Sequence, residues 1–369
     1  MKASINQNDF LEGLKSVSRV VSGQNTLPVL GNILIKAEGK RLYLSATNLE
    51  ISISTHCEAD VKNEGAITIP AKILTAYVSL LKKEDDVELQ LTDGLTLSLK
   101  SASSKTKIKG ISAEEFPKIT LVEGGTDIEL AGKDFRSLVQ EVAFAAHENA
   151  ARPILSGTYW QIQEKELRVA STDSYRLSEK FLTLKNPVRE KIASVVPVRA
   201  LLEADRMLNT EEGLDVKMLF SENQVMFIMG NTHLVSRLIE GQYPDYQQII
   251  PKNTETTVTV SKEELILAVR RVSIFARENN QHMKLVFLND NTMTVSTDST
   301  QVGEEITTLP IEIQGATNTI ALNADYVLDI LGALKGEKIR IEMQQKMNPA
   351  VFKSEKGEDF THLVMPLKN

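Results

Sequence analysis

The sequence has a single cysteine, Cys57, so no disulfide can staple the chain to itself, and a reducing, cytoplasmic setting is expected. No apolar run approaches the ~20 residues that span a bilayer. No membrane partner is therefore expected, and the opening stretch Met1-Lys2-Ala3-Ser4-Ile5-Asn6-Gln7-Asn8-Asp9 carries no apolar signal core. Glycine and proline are not in excess, the composition is ordinary for a globular protein, and disorder is not expected. Positive charge is not in excess either. The net charge of −7 argues against coating nucleic acid by general attraction and leaves only local charge placement or topology for a DNA role.

Catalytic signatures are also missing. His147-Glu148-Asn149-Ala150-Ala151 starts like a zinc-protease helix but lacks the second histidine. One cysteine cannot build a cysteine-rich zinc site, and the histidines His56, His147, His233, His282 and His362 are scattered. No metal or cofactor is expected. There is no glycine-rich phosphate loop ending in Gly-Lys-Ser/Thr and no Gly-x-Ser-x-Gly elbow. The pairs Thr172-Asp173 and Thr297-Asp298 are candidate carboxylate sites, but their equivalent placement favours turns in which Asp bonds nearby backbone.

What the chain does have is internal repetition. Its 369 residues, 42% of them hydrophobic, are enough for two or three cores. Ala46-Thr47-Asn48-Leu49, Ser171-Thr172-Asp173-Ser174 and Ser296-Thr297-Asp298-Ser299 place their threonines 125 residues apart each time. Ile69-Pro70-Ala71-Lys72-Ile73-Leu74, Val196-Pro197-Val198-Arg199-Ala200-Leu201 and Leu322-Asn323-Ala324-Asp325-Tyr326-Val327 follow at spacings of 127 and 126. Phe116-Pro117, Tyr243-Pro244 and Met365-Pro366 close the copies. A period this long is a domain, not a solenoid repeat. Polar, turn-rich cuts near Glu123-Gly124-Gly125-Thr126 and Lys252-Asn253-Thr254-Glu255 give domains at 1–122, 127–251 and 253–369.

Each module opens with an amphipathic helix. Phe10, Leu14, Val17 and Val21 form the first stripe, Phe135, Leu138, Val139 and Val142 the second, and Leu265, Ala268, Val269 and Val272 the third. Alternating strands follow, as in Leu42-Tyr43-Leu44-Ser45, Val87-Glu88-Leu89-Gln90-Leu91 and Leu95-Thr96-Leu97-Ser98-Leu99. A second helix starts at the Pro/Asn landmark. Pro70 and Pro197 suit its first turn, and Asn323 suits an N-cap. The expected class is α+β: three similar domains, each with two helices and antiparallel sheets.

These strings lead to a resemblance. Thr26-Leu27-Pro28-Val29-Leu30-Gly31-Asn32-Ile33, Ala46-Thr47-Asn48-Leu49-Glu50 and Arg152-Pro153-Ile154-Leu155-Ser156-Gly157 match, in order, the bacterial replicative sliding clamp family, the beta subunit of DNA polymerase III. So do Ser171-Thr172-Asp173-Ser174-Tyr175-Arg176-Leu177-Ser178, Gly241-Gln242-Tyr243-Pro244-Asp245-Tyr246 and Val364-Met365-Pro366-Leu367. The resemblance implies a head-to-tail homodimer closing a six-domain ring, with helices lining the hole around double-stranded DNA. It implies no catalysis and no cofactor. The partners it implies are the replicative polymerase, the clamp loader and other proteins carrying a clamp-binding motif.

Carried over residue by residue, the resemblance puts direct DNA contacts at Gln24, Lys72, Asn149, Pro153 and Ile154. Arginine is common in the family at the place of Gln24, and tyrosines occur at the places of Pro153 and Ile154, so direct contact is expected to be weaker here. Lys15, Arg19, Lys82, Lys83, Arg199, Arg206, Arg270 and Arg277 read equally as solvated faces or as the lining of a mildly positive hole, and the resemblance implies the second. It places a partner-peptide cleft at Leu155, Thr172, Ser174, Tyr175, Arg176, Leu177, Pro244, Gln248, Ile249, Asn323, Tyr326, Met347, Pro349, Val364, Met365, Pro366 and Leu367. Leu155, Leu177, Ile249, Met347 and Met365 supply an apolar floor for Leu/Phe anchors, while Arg176 and Asn323 orient the peptide. Arginine is frequent in the family where this chain has Gln248. The competing reading is a hydrolase or transferase on repeated scaffolding domains, such as a metal-dependent nuclease using Asp173. It requires an ionisable cluster in a cleft that the sequence does not display.

Overall fold

The computed structural model of the chain describes all residues except 22–26, 148–151, 209–212, 299–302, 356, 358 and 368–369. Its α-helices are α1 (Gln7–Ser18), α2 (Ala71–Ser79), α3 (Gly132–Val142), α4 (Val198–Leu208), α5 (Lys262–Ala276) and α6 (Ala324–Ala333). Two fall in each sequence repeat. The expected stripes are the buried faces: Phe10, Leu14 and Val17 on α1, Phe135, Leu138, Val139 and Val142 on α3, and Leu265, Ala268, Val269 and Val272 on α5 are all sealed from solvent. Val21 is the exception. The helix stops at Ser18, and Val20 takes the buried position after it. Pro70 and Pro197 lie one place earlier than expected. Each ends a strand, and the helix begins at the next residue. Asn323 caps α6 as expected, its side-chain oxygen accepting from the backbone N–H of Asp325 and Tyr326. Among the described residues no helix is long and apolar enough to cross a membrane.

All strand pairs between the named strands are antiparallel, and the chain divides into two compact units. The first comprises Met1–Phe135 and Arg199–Leu238. It holds a five-stranded sheet ending in the strand Lys105–Lys109 and an eight-stranded sheet. Within it α1 packs on α2, with the Gln7 amide donating to the Val78 carbonyl at 2.7 Å. The second unit comprises Arg136–Val198 and Ile239–Asn369 and holds a nine-stranded and a four-stranded sheet. Its core gathers the inner faces of α5 and α6 with Phe287, Ile339 and Phe352.

These units do not follow the 125-residue repeat, because strands pair across the repeats. In the first unit Thr232–Arg237 pairs with Ile51–Glu58. In the second Phe360–Val364 pairs with Arg176–Thr183 by the same construction. A hydrogen-bonded ladder of this kind joins each half of the middle repeat more firmly to its neighbour than sequence order suggests.

The second seam carries an ion cluster whose centre, Lys180 with Glu141, is buried and whose outer members, Asp359 and Lys335, are exposed. Lys180 Nζ lies 2.8 Å from Glu141 on α3 and 2.6 Å from Asp359, and Lys335 reaches Glu141 at 3.2 Å. Burial alone would lower the Lys180 pKa, but the two carboxylates more than offset it and hold the ammonium charged. Removing one member of such a cluster strands the others. Lys180→Met is therefore expected to cost about 3 kcal/mol. The reporter is urea denaturation followed by Trp160, the sole tryptophan, fully buried in the same unit. An unchanged midpoint would show that the cluster contributes nothing.

Candidate functional site

The site is built on a turn. Thr172 Oγ1 donates to the Arg176 carbonyl at 2.6 Å and accepts from the Ser174 N–H at 3.1 Å. Asp173 Oδ1 accepts from the N–H groups of Tyr175 and Arg176 at 2.9 and 3.0 Å. Ser174 is left-handed, at φ 81°. The first repeat makes the same turn. Thr47 Oγ1 bonds the Ile51 carbonyl and the Leu49 N–H, Asn48 Oδ1 takes the Glu50 and Ile51 N–H groups, and Leu49 has φ 76°. Asp173 therefore serves the backbone, as the repeat suggested. In the third repeat Thr297 Oγ1 donates to the His282 carbonyl, Asp298 lies exposed with a carboxylate oxygen 3.8 Å from His282 Nδ1, and residues 299–302 lie outside the described residues.

The turn aims Arg176 inward. Its Nε donates to Asp173 Oδ2 at 3.0 Å, Nη1 to Asp329 Oδ2 at 2.5 Å and Nη2 to the Phe144 carbonyl at 2.7 Å. The guanidinium sits 4.5 Å from the Tyr326 ring centre. Three of its five N–H groups are spent inside the protein, so two remain for a ligand. Asn323 is similarly committed: its side-chain oxygen caps α6, which leaves its amide NH2 as the free end. Asp329 and Phe144 escaped the sequence reading because nothing local links them to Arg176.

The apolar members separate into backing and surface. Leu155 and Leu177 belong to a buried cluster with Tyr243, Tyr246, Val351 and Leu363, and Met365 packs against it half-buried. Pro349 and Val364 are buried as well. Ile249 is 40% exposed, Met347 58% and Tyr175 61%, so these three present the accessible apolar area. Pro244, Ser174 and Gln248 are exposed, and Gln248 Nε2 bonds Asp245 at 2.6 Å. Thr172 is buried in its turn. The last strand leads into residues 365–367, which are held by backbone bonds from Met365 N–H to the Tyr175 carbonyl and from Leu367 N–H to the Ala321 carbonyl, both 2.8 Å. Pro366, between them, is half-buried.

The residues assigned to DNA are not all described. Gln24 and Asn149 lie outside the described residues. Lys72 is exposed on α2 in the first unit. In the second unit Pro153 and Ile154 open the 3-10 turn Pro153–Ser156. Pro153 is exposed, while Ile154 gives part of its side chain to the Leu155 cluster. Of the basic residues, Arg19 sits just past the end of α1, and Arg206 is paired with Glu203 at 2.7 Å. Lys15, Lys82, Lys83, Arg199, Arg270 and Arg277 are exposed. Among the described residues no group of three or more His, Cys, Asp or Glu is placed to hold a metal ion.

Beneath Arg176 lies His362. It is completely buried, its Nδ1 is 2.6 Å from Ser178 Oγ, and its ring lies against Phe144 at 5.2 Å between centres. Burial, aided by the charge of Arg176, pushes its pKa well below the ordinary histidine value. The folded chain thus keeps His362 neutral at a pH where the unfolded chain takes up a proton. Stability is expected to fall as pH drops below about 6.5, by up to ~1.4 kcal/mol per pH unit. His362→Gln is expected to flatten that part of the curve. Thermal melts between pH 7.5 and 5.5 check this, and identical slopes in the two proteins would contradict it.

Residues 1–120, 129–245 and 247–368 match the family models for the N-terminal, central and C-terminal domains of the DNA polymerase III beta subunit. The beta sliding clamp of Synechocystis sp. is 31% identical over 100% of this chain and 99% of its own length. That of Staphylococcus aureus is 28% identical with the same coverage. The crystal structure of the DNA polymerase sliding clamp from Bacillus subtilis superposes with a TM-score of 0.96 at 26% identity, covering 100% of this chain and 99% of that one. The beta chain of DNA polymerase III from Streptococcus pneumoniae gives 0.95 at 29% identity, with both chains fully covered. The chain belongs to the DNA polymerase III beta subunit family and is a sliding clamp, a processivity factor for DNA replication.

Proposed function

We propose that two copies of this clamp close head to tail into a six-domain ring around double-stranded DNA and tether the replicative polymerase to it without catalysing any reaction. The observation that carries the ring is a pair of sheet edges that have no further strand beside them among the described residues, one basic and one uncharged with an acidic flank. Lys105–Lys109 ends one sheet with Lys105, Lys107 and Lys109 all exposed. Ile306–Pro310 ends another, preceded by exposed Glu304 and opened by Ile306, which is 63% exposed. Bare edges invite pairing, and an edge of one copy against the other edge of its partner satisfies both strands and brings Glu304 toward the lysine row. Made twice, such a contact closes on itself. The domains in this reading run 1–122, 127–251 and 253–369, and the protein works in the cytoplasm.

Encirclement explains how a chain of net charge −7 stays on DNA. Tight phosphate contacts would pin the ring, whereas topology retains it while it slides. Lys72, Pro153 and Ile154 touch the duplex in this reading, together with Gln24 and Asn149. The clamp loader, the polymerase and other motif-bearing proteins dock a short peptide on the surface around Ile249, Met347, Tyr175 and Met365. Arg176, Leu155, Leu177, Thr172, Ser174, Pro244, Gln248, Asn323, Tyr326, Pro349, Val364, Pro366 and Leu367 back or frame that surface. It is apolar, methionine-containing and rimmed by a few polar groups, which suits several partners sharing one anchor type.

Protein placed on circular DNA by a clamp loader and ATP is expected to stay bound at high salt and to be lost when the circle is linearised. Release from intact circles as salt rises would mean phosphate binding and would refute encirclement. Removing residues 365–369 takes Met365 from the apolar cluster and breaks both backbone bonds of the tail. That deletion is expected to weaken polymerase-peptide binding at least a hundredfold, ~2.7 kcal/mol, while the dimer mass is unchanged. Undiminished peptide binding would remove the site from this surface.

A further inference from the structure

Residues 243–249 carry Pro244, Gln248 and Ile249 to the peptide surface, yet the backbone does little to fix them. The segment belongs to no sheet, and its short-range bonds are Tyr246 N–H to the Pro244 carbonyl at 2.9 Å and Ile250 N–H to the Gln247 carbonyl at 3.4 Å. Side chains must hold it. Tyr246 is 4% exposed, and its hydroxyl donates to Glu179 Oε1 at 2.7 Å. Glu179 is 4% exposed and comes from the middle of the strand Arg176–Thr183. Tyr243 stacks on Tyr159 at 5.1 Å with the rings 8° from parallel and meets Tyr246 edge-on at 6.4 Å. The Tyr243 oxygen accepts the Thr172 N–H at 3.1 Å, and Thr172 begins the turn that aims Arg176.

A buried carboxylate is a costly way to fill this space, since a leucine would pack without the desolvation penalty. What it supplies is direction, because one hydroxyl on a rigid ring can meet one carboxylate oxygen in only one pose. We infer that Glu179 and Tyr246 form a buried latch that sets the position of residues 244–249, making both of them positioning residues for partner binding. The inference rests on the peptide reading above. Burial raises the Glu179 carboxyl above the usual range despite the Tyr246 hydroxyl and Arg168, whose Nε is 3.7 Å away. A raised folded-state pKa means that stability present at low pH is lost as Glu179 ionises. Glu179→Gln relieves that cost, and its amide oxygen still accepts from Tyr246.

The test compares four full-length proteins: wild type, Tyr246→Phe, Glu179→Ala and Glu179→Gln. The probe is a fluorescein-labelled pentapeptide carrying a Leu-Phe pair, read by anisotropy, with hydrogen–deuterium exchange followed over residues 245–250. Tyr246→Phe and Glu179→Ala are expected to bind about tenfold more weakly, as loss of a buried hydrogen bond that leaves its partner unsatisfied predicts, and to exchange faster in that segment. Glu179→Gln is expected to keep wild-type affinity. If Tyr246→Phe and Glu179→Ala match wild type in affinity and exchange, the latch is refuted while the peptide surface stands. A Glu179→Gln protein as weak as Glu179→Ala also refutes it. A wild-type protein that does not bind the peptide refutes the underlying peptide reading instead, and the latch's role with it.

Discussion

The register of one strand pair sets the site. Where Arg176–Thr183 lies against Phe360–Val364, Arg176 opposes Val364, Leu177 opposes Leu363, Ser178 opposes His362, and Lys180 opposes Phe360. A strand turns alternate residues to opposite faces. Arg176, Ser178 and Lys180 therefore meet the Phe144 carbonyl, His362 and Glu141, while Leu177 and Glu179 meet the tyrosine cluster. A slip of one residue would bury Lys180 among tyrosines and turn Leu177 toward the ion cluster. The polar groups on both faces thus penalise every register but one, and the same register delivers Arg176 and Met365 to one surface.

The sequence repeat and the structure divide the chain differently, and both divisions have a physical cause. The repeat records three copies of one helix-and-strand module. The compact units record which strands share hydrogen bonds, and the pairs Ile51–Glu58 with Thr232–Arg237 and Arg176–Thr183 with Phe360–Val364 cross from one copy to the next. The ion cluster of Lys180, Glu141, Asp359 and Lys335 and the buried His362 both sit on the second seam.

What was legible in the sequence was periodic or local. The stripes of α1, α3 and α5, the Asn323 cap and the Thr-Asx turns follow from side-chain spacing or from bonds spanning two to four residues. Val21 departs from its stripe because a stripe can outrun its helix, and Pro70 and Pro197 from the first helical turn because each strand runs right up to its helix, so the proline ends the strand one residue before the helix begins. The partners that fix the site were not legible. Asp329 lies 153 residues from Arg176, and Tyr246 lies 67 from Glu179, so only the folded topology brings them together. The pocket residues came from resemblance, and the latch beneath them from geometry.

The central claim is that two chains make one closed ring. It is tested most directly by measuring solution mass with light scattering and imaging the same sample by electron microscopy. The account predicts a single species of twice the 40.9 kDa chain mass, seen as a closed ring with an open centre wide enough for a DNA duplex. A species of one chain mass, or a two-chain particle without a central opening, would contradict it.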